Sequence, residues 1–403
     1  MRYIRRVLGD RLEAKSRGFP VLILTGPRRA GKTTLLRKYF PQASYHLLED
    51  LDTIAKIKED PRSFVEDLRL PVILDEIQNV PELLNYIRTQ VDLSGRKKTE
   101  WLLTGSQEPA LMKGVTESMA GRAAIFSLLP LSCEESPKVT PLRGGFPEIV
   151  TGQVETDTWF RSYLQTYLER DVRSISSLRD LTTFRTFLAL VASRIGQVLN
   201  KTDIAAPLGV SVPTVTQWLS ILEMTHQLIV VPPFYENFGK RLVKAPKIYL
   251  ADSGLAAHLL GIESEKTLRR SPFLGPLFEG FVATEIIKAQ INRGRRKELY
   301  YFRDRPGLEV DFLVPMGDRN IALIEAKASR TLWPGDASNM LQLQKKMGRY
   351  QANLFLVRCP SSSLPEMGIL SRGVKSLSYK KISGILYPEE STKRPAQLGR
   401  KQV

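Results

Sequence analysis

The sequence predicts a multidomain α/β protein: a parallel-sheet nucleotide-binding unit, a helical middle, and a second α/β unit towards the C-terminal end. Three observations carry this expectation. The chain has 403 residues, long for one core and enough for two or three domains. An apolar run, Val21-Leu-Ile-Leu-Thr25, leads straight into the glycine-rich Gly26-Pro-Arg-Arg-Ala-Gly-Lys-Thr33 and then a helical pattern. Late in the chain one helical run precedes three strand-like runs, the last of which, Ile321-Ala-Leu-Ile-Glu-Ala-Lys-Ala328, ends in charge.

Composition bounds the function. Hydrophobic residues make up 42% of the chain, as in an ordinary globular protein. Lys and Arg number 59 against 42 Asp and Glu, a formal charge of +17, and such a surface favours polyanionic partners, nucleic acid first among them. The plainer alternative is a basic protein whose lysines only solvate it. Two cysteines, Cys133 and Cys359, and three histidines, His46, His226 and His258, are too few and too scattered for a zinc or iron-sulfur site. Any metal is therefore expected on oxygen ligands. The absence of a disulfide framework suits a reducing cytosol. No apolar run reaches the roughly 18 to 20 residues of a membrane span, and MRYIRRVLGDR lacks the apolar segment of a secretion signal, so the expected location is the cytoplasm.

The first strand and its loop spell G-x4-G-K-T in the strand, loop, helix order that this motif requires. Its glycines turn the backbone tightly and aim N–H groups at a phosphate, while a helix beginning near Lys32 adds its positive pole. The expected ATP-binding residues are Gly26, Pro27, Arg28, Arg29, Ala30, Gly31, Lys32, Thr33 and Thr34. Lys32 reaches the β and γ phosphates, and the Thr33 hydroxyl holds Mg2+. A second buried strand, 71–77, carries Asp75 as metal partner and Glu76 as the base that polarises water. The competing reading makes this pair only a cap for the helix after Asn79. A third strand, 100–104, leads to Ser106, the expected γ-phosphate sensor, and Arg122 precedes a fourth strand, 124–129. That arginine is placed to stabilise charge on the transferring phosphoryl group, in its own site or a neighbour's.

With these four landmarks in order, the chain resembles the AAA+ ATPases. Gly144-Gly-Phe-Pro-Glu148 is similar to the glycine-x-proline element of signalling-type members, which implies Pro147 beside the base, although a simple Gly-Pro turn reads the same way. Asn200-Lys-Thr-Asp203 matches the N-K-x-D of GTPases, but the Asp75 region lacks D-x-x-G, and the segment that follows has its own explanation.

Residues 155–195 read as packed helices whose Arg161, Arg170 and Arg173 belong to a solvated face more readily than to a phosphate site. Thr202-Asp203 is expected to cap a short helix over 204–208. Gly209-Val-Ser211 then turns the chain into a second helix, 213–222, with Ser211 as cap and Pro213 in the first turn. This resembles a winged helix-turn-helix, with 228–231 and 247–250 as wing strands around Lys240, Arg241 and Lys244. The resemblance implies Thr214, Thr216 and Gln217 in a DNA groove, or else a lid or protein-docking module.

The run Phe278–Ile287 reads as an amphipathic helix carrying Glu279 and Glu285, followed by the basic 293–297 and strands at 299–302, 307–314 and 321–328. Glu325 and Lys327, two apart, share one face of the last strand. Helix, strands, Asp311 and then Glu-x-Lys resemble the restriction-endonuclease-like fold. That resemblance implies a candidate nuclease site of Glu279, Asp311, Glu325 and Lys327, with Mg2+ on the acids and the lysine activating water. A buried, non-cleaving salt-bridged trio is the alternative.

Over residues 1–385 the chain is similar to a bacterial and archaeal ATPase family with a AAA+ core, a winged helix and a nuclease-like C-terminal domain. The expected divisions are 1–135, 136–260, 261–385 and a disordered basic tail, 386–403. The leading expectation is a Mg-dependent ATPase that engages DNA, its ATP state controlling the nuclease-like unit, with a homo-oligomer plausible through Arg122. The alternatives are a non-cleaving regulatory ATPase with protein partners, and a protein that keeps ATP only as a folding ligand.

Overall fold

Apolar runs along three central strands build the first layer. The computed structural model describes residues 3–95, 98–105, 115, 117–168, 181–234, 243–329, 331–361, 364–371 and 373–388. β1 (Val21–Thr25), β2 (Ser44–Leu47), β3 (Val72–Asp75), β4 (Trp101–Thr104) and β5 (Ala123–Ser127) form one parallel sheet in the order β2-β3-β4-β1-β5. Val21, Ile23, Val72, Leu74, Trp101 and Leu103 face one apolar layer, with the helices Leu51–Glu59 and Leu83–Ser94. Leu22, Leu24, Ile73 and Leu102 face the other, against Leu8, Leu12, Leu35 and Leu36. Burial on both faces explains why β1, β3 and β4 read as continuous apolar runs.

Parallel direction puts every strand's C-terminal end at one edge. The phosphate loop leaves β1, Asp75 ends β3, and Thr104 ends β4, which lies between them. The loop must be tight there: Gly26 has φ +140°, and a Cβ would lie 2.2 Å from Leu128 O. Arg122 precedes β5 and so stands at the opposite edge.

In the middle of the chain, helices Lys201–Leu208 and Val212–Met224 bend by 111° around Gly209, and β6 (Leu228–Val231) pairs antiparallel with β7 (Lys247–Leu250). Ser211 caps the second helix as expected, accepting from Thr214 N. The first cap differs: Asn200, not Thr202 or Asp203, accepts from Thr202 N, and the helix starts at Lys201. Its side-chain oxygen is thus spent on a backbone donor, which accounts for the asparagine of the GTPase-like tetrapeptide. Arg170, Arg173, Lys240, Arg241 and the tail from 389 lie outside the described residues.

The last unit is a mixed sheet of β8 (Tyr300–Arg303), β9 (Glu309–Gly317), β10 (Asn320–Lys327), β11 (Gln351–Arg358), β12 (Met367–Ser371) and β13 (Val374–Ser378), ordered β12-β13-β11-β10-β9-β8. The helix expected to be amphipathic is longer, Leu274–Ile291, and from Gly280 to Gln290 every residue is buried. One side covers Phe312, Val314, Ala322 and Ile324 of the sheet, and the rest meets the middle helices, so one apolar cluster runs from Phe184 and Trp218 through Phe281 to Phe355 across position 260. Among the described residues no single helix is long and apolar enough to cross a membrane.

Asp252 fastens this arrangement. At 3% exposure, its carboxylate accepts from Gly145 N (2.7 Å), Gly254 N (3.0 Å) and Leu255 N (3.1 Å), and Gly144, φ +69°, leaves room for it where a Cβ would overlap Oδ1. Asp252→Ala strands three donors and is expected to lower the unfolding free energy by roughly 2–3 kcal/mol in a urea titration. An unchanged midpoint would remove Asp252 from this role.

Candidate functional site

At the C-terminal edge of the first sheet, three hydroxyl groups converge on one carboxylate. Asp75, 4% exposed, accepts from Thr33 Oγ1 (3.0 and 2.8 Å), Tyr45 OH (2.8 Å) and Thr104 Oγ1. Burial first, then the bond to Asp75, push the Tyr45 hydroxyl above its usual range. Thr104 also accepts from Glu76 N at 3.2 Å. Thr33 and Asp75, the two oxygen donors expected on magnesium, are therefore side by side, as a hard cation requires.

Lys32 is buried inside the loop, its Nζ donating to Gly26 O (3.0 Å) and Pro27 O (3.2 Å). Gly31, φ +93°, starts the helix Lys32–Tyr39. A cavity of ≈ 400 Å³ opens here, lined by Arg28, Arg29, Lys32, Thr33, Thr34 and Glu76, with Pro147 and Glu148 on its far wall. Glu76 is held in the left-handed region, φ 61° and ψ 50°, a conformation that costs a non-glycine residue on the order of 1 kcal/mol or more and clusters at functional sites. Its Oε2 accepts from Gln78 Nε2 at 2.5 Å and lies 4.0 Å from Arg28, which also pairs with Glu49 at 3.2 Å. Arg29, φ 63°, reaches Glu148 at 3.5 Å.

Several site residues carried no motif signal. Thr104 ends β4, Tyr45 lies within β2 and Glu49 just past it, and only the sheet order reveals that they neighbour the site. Arg6 is 4% exposed and donates to Ala30 O (2.9 Å) and Leu129 O (2.6 Å) while pairing with Glu135 at 3.0 Å. Two expectations fall elsewhere. Ser106 lies outside the described residues. Arg122 pairs with Asp92 (2.6 and 2.9 Å) at the opposite edge of the sheet, a strand's length from its own phosphate loop, so a role in its own site is excluded by the parallel topology.

The C-terminal candidates do come together, with one change. Asp311 on β9 and Glu325 on β10 are neighbours: Asp311 Oδ2 accepts from Ala326 N (2.9 Å), and Lys327 Nζ lies 3.5 Å from Glu325 Oε2. Glu325 is 4% exposed, and among the described residues its Oε1 has no hydrogen-bond partner. Glu279, expected as a further metal-binding acid, is instead engaged by Lys247 Nζ (2.9 Å) and Tyr249 OH (2.5 Å) from β7. Among the described residues no three of His, Cys, Asp and Glu converge as a ready metal-binding group. Of the groove candidates Gln217 is exposed, whereas the Thr214 and Thr216 hydroxyls bond to Ser211 Oγ (2.8 Å) and Val212 O (2.9 Å).

A family model for the AAA domain matches residues 18–136. Models for two domains of unknown function match 139–266 (DUF8612) and 274–368 (DUF4143). The uncharacterized proteins Rv2008c of Mycobacterium tuberculosis and Mb2031c of Mycobacterium bovis are each 32% identical over 326 residues, 78% of this chain and 72% of theirs. The chain belongs to the family of these mycobacterial proteins. Its N-terminal unit is an AAA-type P-loop ATPase domain. Among solved structures, the Walker-type ATPase PABY2304 of Pyrococcus abyssi is similar over 62% of this chain and 94% of its own, at 17% identity and a TM-score of 0.38. Orc1 of Aeropyrum pernix, solved in complex with DNA, is similar over 67% and 92%, at 13% identity and a TM-score of 0.26.

The acid pair carries a pH signature. Burial first, then Asp311, push the Glu325 carboxyl up to about 9, whereas an unfolded glutamate titrates near about 4.3. Between those values the folded state binds more protons than the unfolded one, so this group's contribution to stability is full below about pH 4 and declines as pH rises to about 9. Glu325→Gln removes the titration. In metal-free buffer the variant's stability relative to the parent is expected to increase steadily from about pH 5 to 9, and a difference independent of pH contradicts the assignment.

Proposed function

We propose that the protein is a magnesium-dependent ATPase whose nucleotide state controls a DNA-engaging middle and a nuclease-like C-terminal unit. The observation that carries the reading is the contact between Thr33 and Asp75, beside Lys32 in the phosphate loop and Glu76 on the same cavity wall. This donor set suits magnesium, whose charge would offset that of the phosphates. Lys32 supplies a cation already within the loop, Arg28 and Arg29 supply two more at the rim, and Glu76 takes the proton of the attacking water. Pro147 borders the region assigned to the base, and Ser106 keeps the sensor role. Arg122 acts in a neighbouring subunit of a homo-oligomer, where its edge of the sheet meets another copy's site.

DNA as partner rests on the charge of +17, the exposed Gln217, and the exposed Arg295 and Arg296 that follow the long helix. A regulatory, non-cleaving ATPase with protein partners is the second reading, favoured by the engagement of Glu279 with Lys247. The cytoplasm is the proposed setting for both.

Lys32→Ala is expected to weaken ATP binding roughly 100-fold or more, whereas Glu76→Gln binds ATP normally and turns it over on the order of 10²–10³-fold more slowly. Phosphate release and nucleotide affinity, measured separately, check this. Parental turnover by Glu76→Gln would remove it as the base, and DNA affinity that does not fall with salt would favour the regulatory reading.

A further inference from the structure

The acid cluster of the C-terminal sheet already contains a cation, contributed by another unit. Lys247 belongs to β7, in the middle of the chain, yet its side chain is 2% exposed. Its ammonium lies 2.9 Å from Glu279 Oε1 and 2.6 Å from Glu309 Oε1. The Tyr301 ring centroid is 5.5 Å away. Glu309 stands two residues before Asp311 on the same strand, so Lys247 occupies the acidic row that continues into Asp311 and Glu325. On its other side Glu309 meets Arg303 at 3.4 Å. The chain around this lysine is tied to the same sheet edge: Tyr301 N donates to Pro232 O (3.1 Å), and Phe234 N donates to Tyr301 O (2.8 Å).

We propose that Lys247 is an autoinhibitory internal cation, occupying the carboxylates that a divalent metal at Asp311 and Glu325 would share and holding the C-terminal cluster closed while β7 stays docked. The physical reason is competition. A buried carboxylate needs one counter-charge, and Glu279, which the helix brings to the cluster, accepts at Oε1 from both Lys247 and Tyr249 of β7. Glu325 Oε1 is buried and has no hydrogen-bond partner among the described residues. Removing the ammonium leaves Glu279, Glu309 and Asp311 without it and converts the row into a site for a hard divalent cation. The inference rests on reading Asp311 and Glu325 as a cation site, but not on cleavage.

The test is Mn2+ binding to the full chain by calorimetry and electron paramagnetic resonance. Lys247→Met is expected to bind Mn2+ roughly tenfold or more tightly than the parent, and Asp311→Asn in the same chain should abolish the gain. Lys247→Arg, which keeps the charge, should stay at the parental affinity. ATPase activity at the parental rate serves as the folding control, because Lys247 is outside the nucleotide cavity. If Lys247→Met is unfolded alone, its refolding on adding Mn2+, followed by circular dichroism, supports the proposal, and failure to refold overturns it. A folded Lys247→Met with parental Mn2+ affinity overturns it too. An Asp311-dependent Mn2+ site in the parent would then leave the cation-site reading standing, and its absence from parent and variant alike would end both.

Discussion

The segment 129–135 is gripped from both sides, and the joint between the nucleotide-binding sheet and the rest of the chain depends on that grip. From the nucleotide side, Arg6 binds Leu129 O and Ala30 O and pairs with Glu135, whose carboxylate also accepts from Val7 N and Ser132 N. From the other side, Lys288 Nζ donates to Leu131 O (2.9 Å), Glu285 accepts from Cys133 N (2.7 Å), and Arg293 makes a forked pair with Glu134 (3.0 and 2.8 Å). Arg6, Glu285, Lys288 and Arg293 are each 4% exposed or less. Charges this deep are tolerated only with their partners in place, so the junction has little freedom to slide.

That constraint gives the nucleotide site a path outward. Arg6 ties Ala30 of the phosphate loop to the strap 129–135, and the strap is bonded in turn to the helix that brings Glu279 to the acid cluster. A second, electrostatic influence reaches His226, between the helix Val212–Met224 and β6. Burial first, then the charges of Lys32 and Lys297, push its imidazole down to about 4, so the phosphate-loop lysine and the middle of the chain are electrostatic neighbours. The first route consists of packed, paired groups, the kind of contact that transmits a rigid-body shift.

Much of the nucleotide site was legible in the sequence because its chemistry is local. A strand, a glycine loop and a helix must follow one another, and Gly26, Lys32 and Thr33 sit where that order puts them. Asp75 and Glu76 were legible as acids at a strand end. Tyr45, Thr104 and Arg6 were not, since their roles arise from the order in which strands assemble, and a lone tyrosine or arginine has no spacing to betray it. The same limit explains Glu279: a helical pattern locates the residue, but only the packed structure shows that Lys247, thirty-two positions earlier, reaches it first. The helix itself read as amphipathic because Glu279 and Glu285 look solvent-facing in a sequence, whereas each is held by a specific partner.

The central claim is that nucleotide at the P-loop is felt in the C-terminal unit through this strap. Amide hydrogen exchange of the full-length Glu76→Gln protein, with and without Mg-ATP, tests it most directly. The account predicts altered protection at 26–34 that continues through 129–135 into 285–293. Changes confined to the phosphate loop and the end of β3, with 129–135 and 285–293 unmoved, would contradict it.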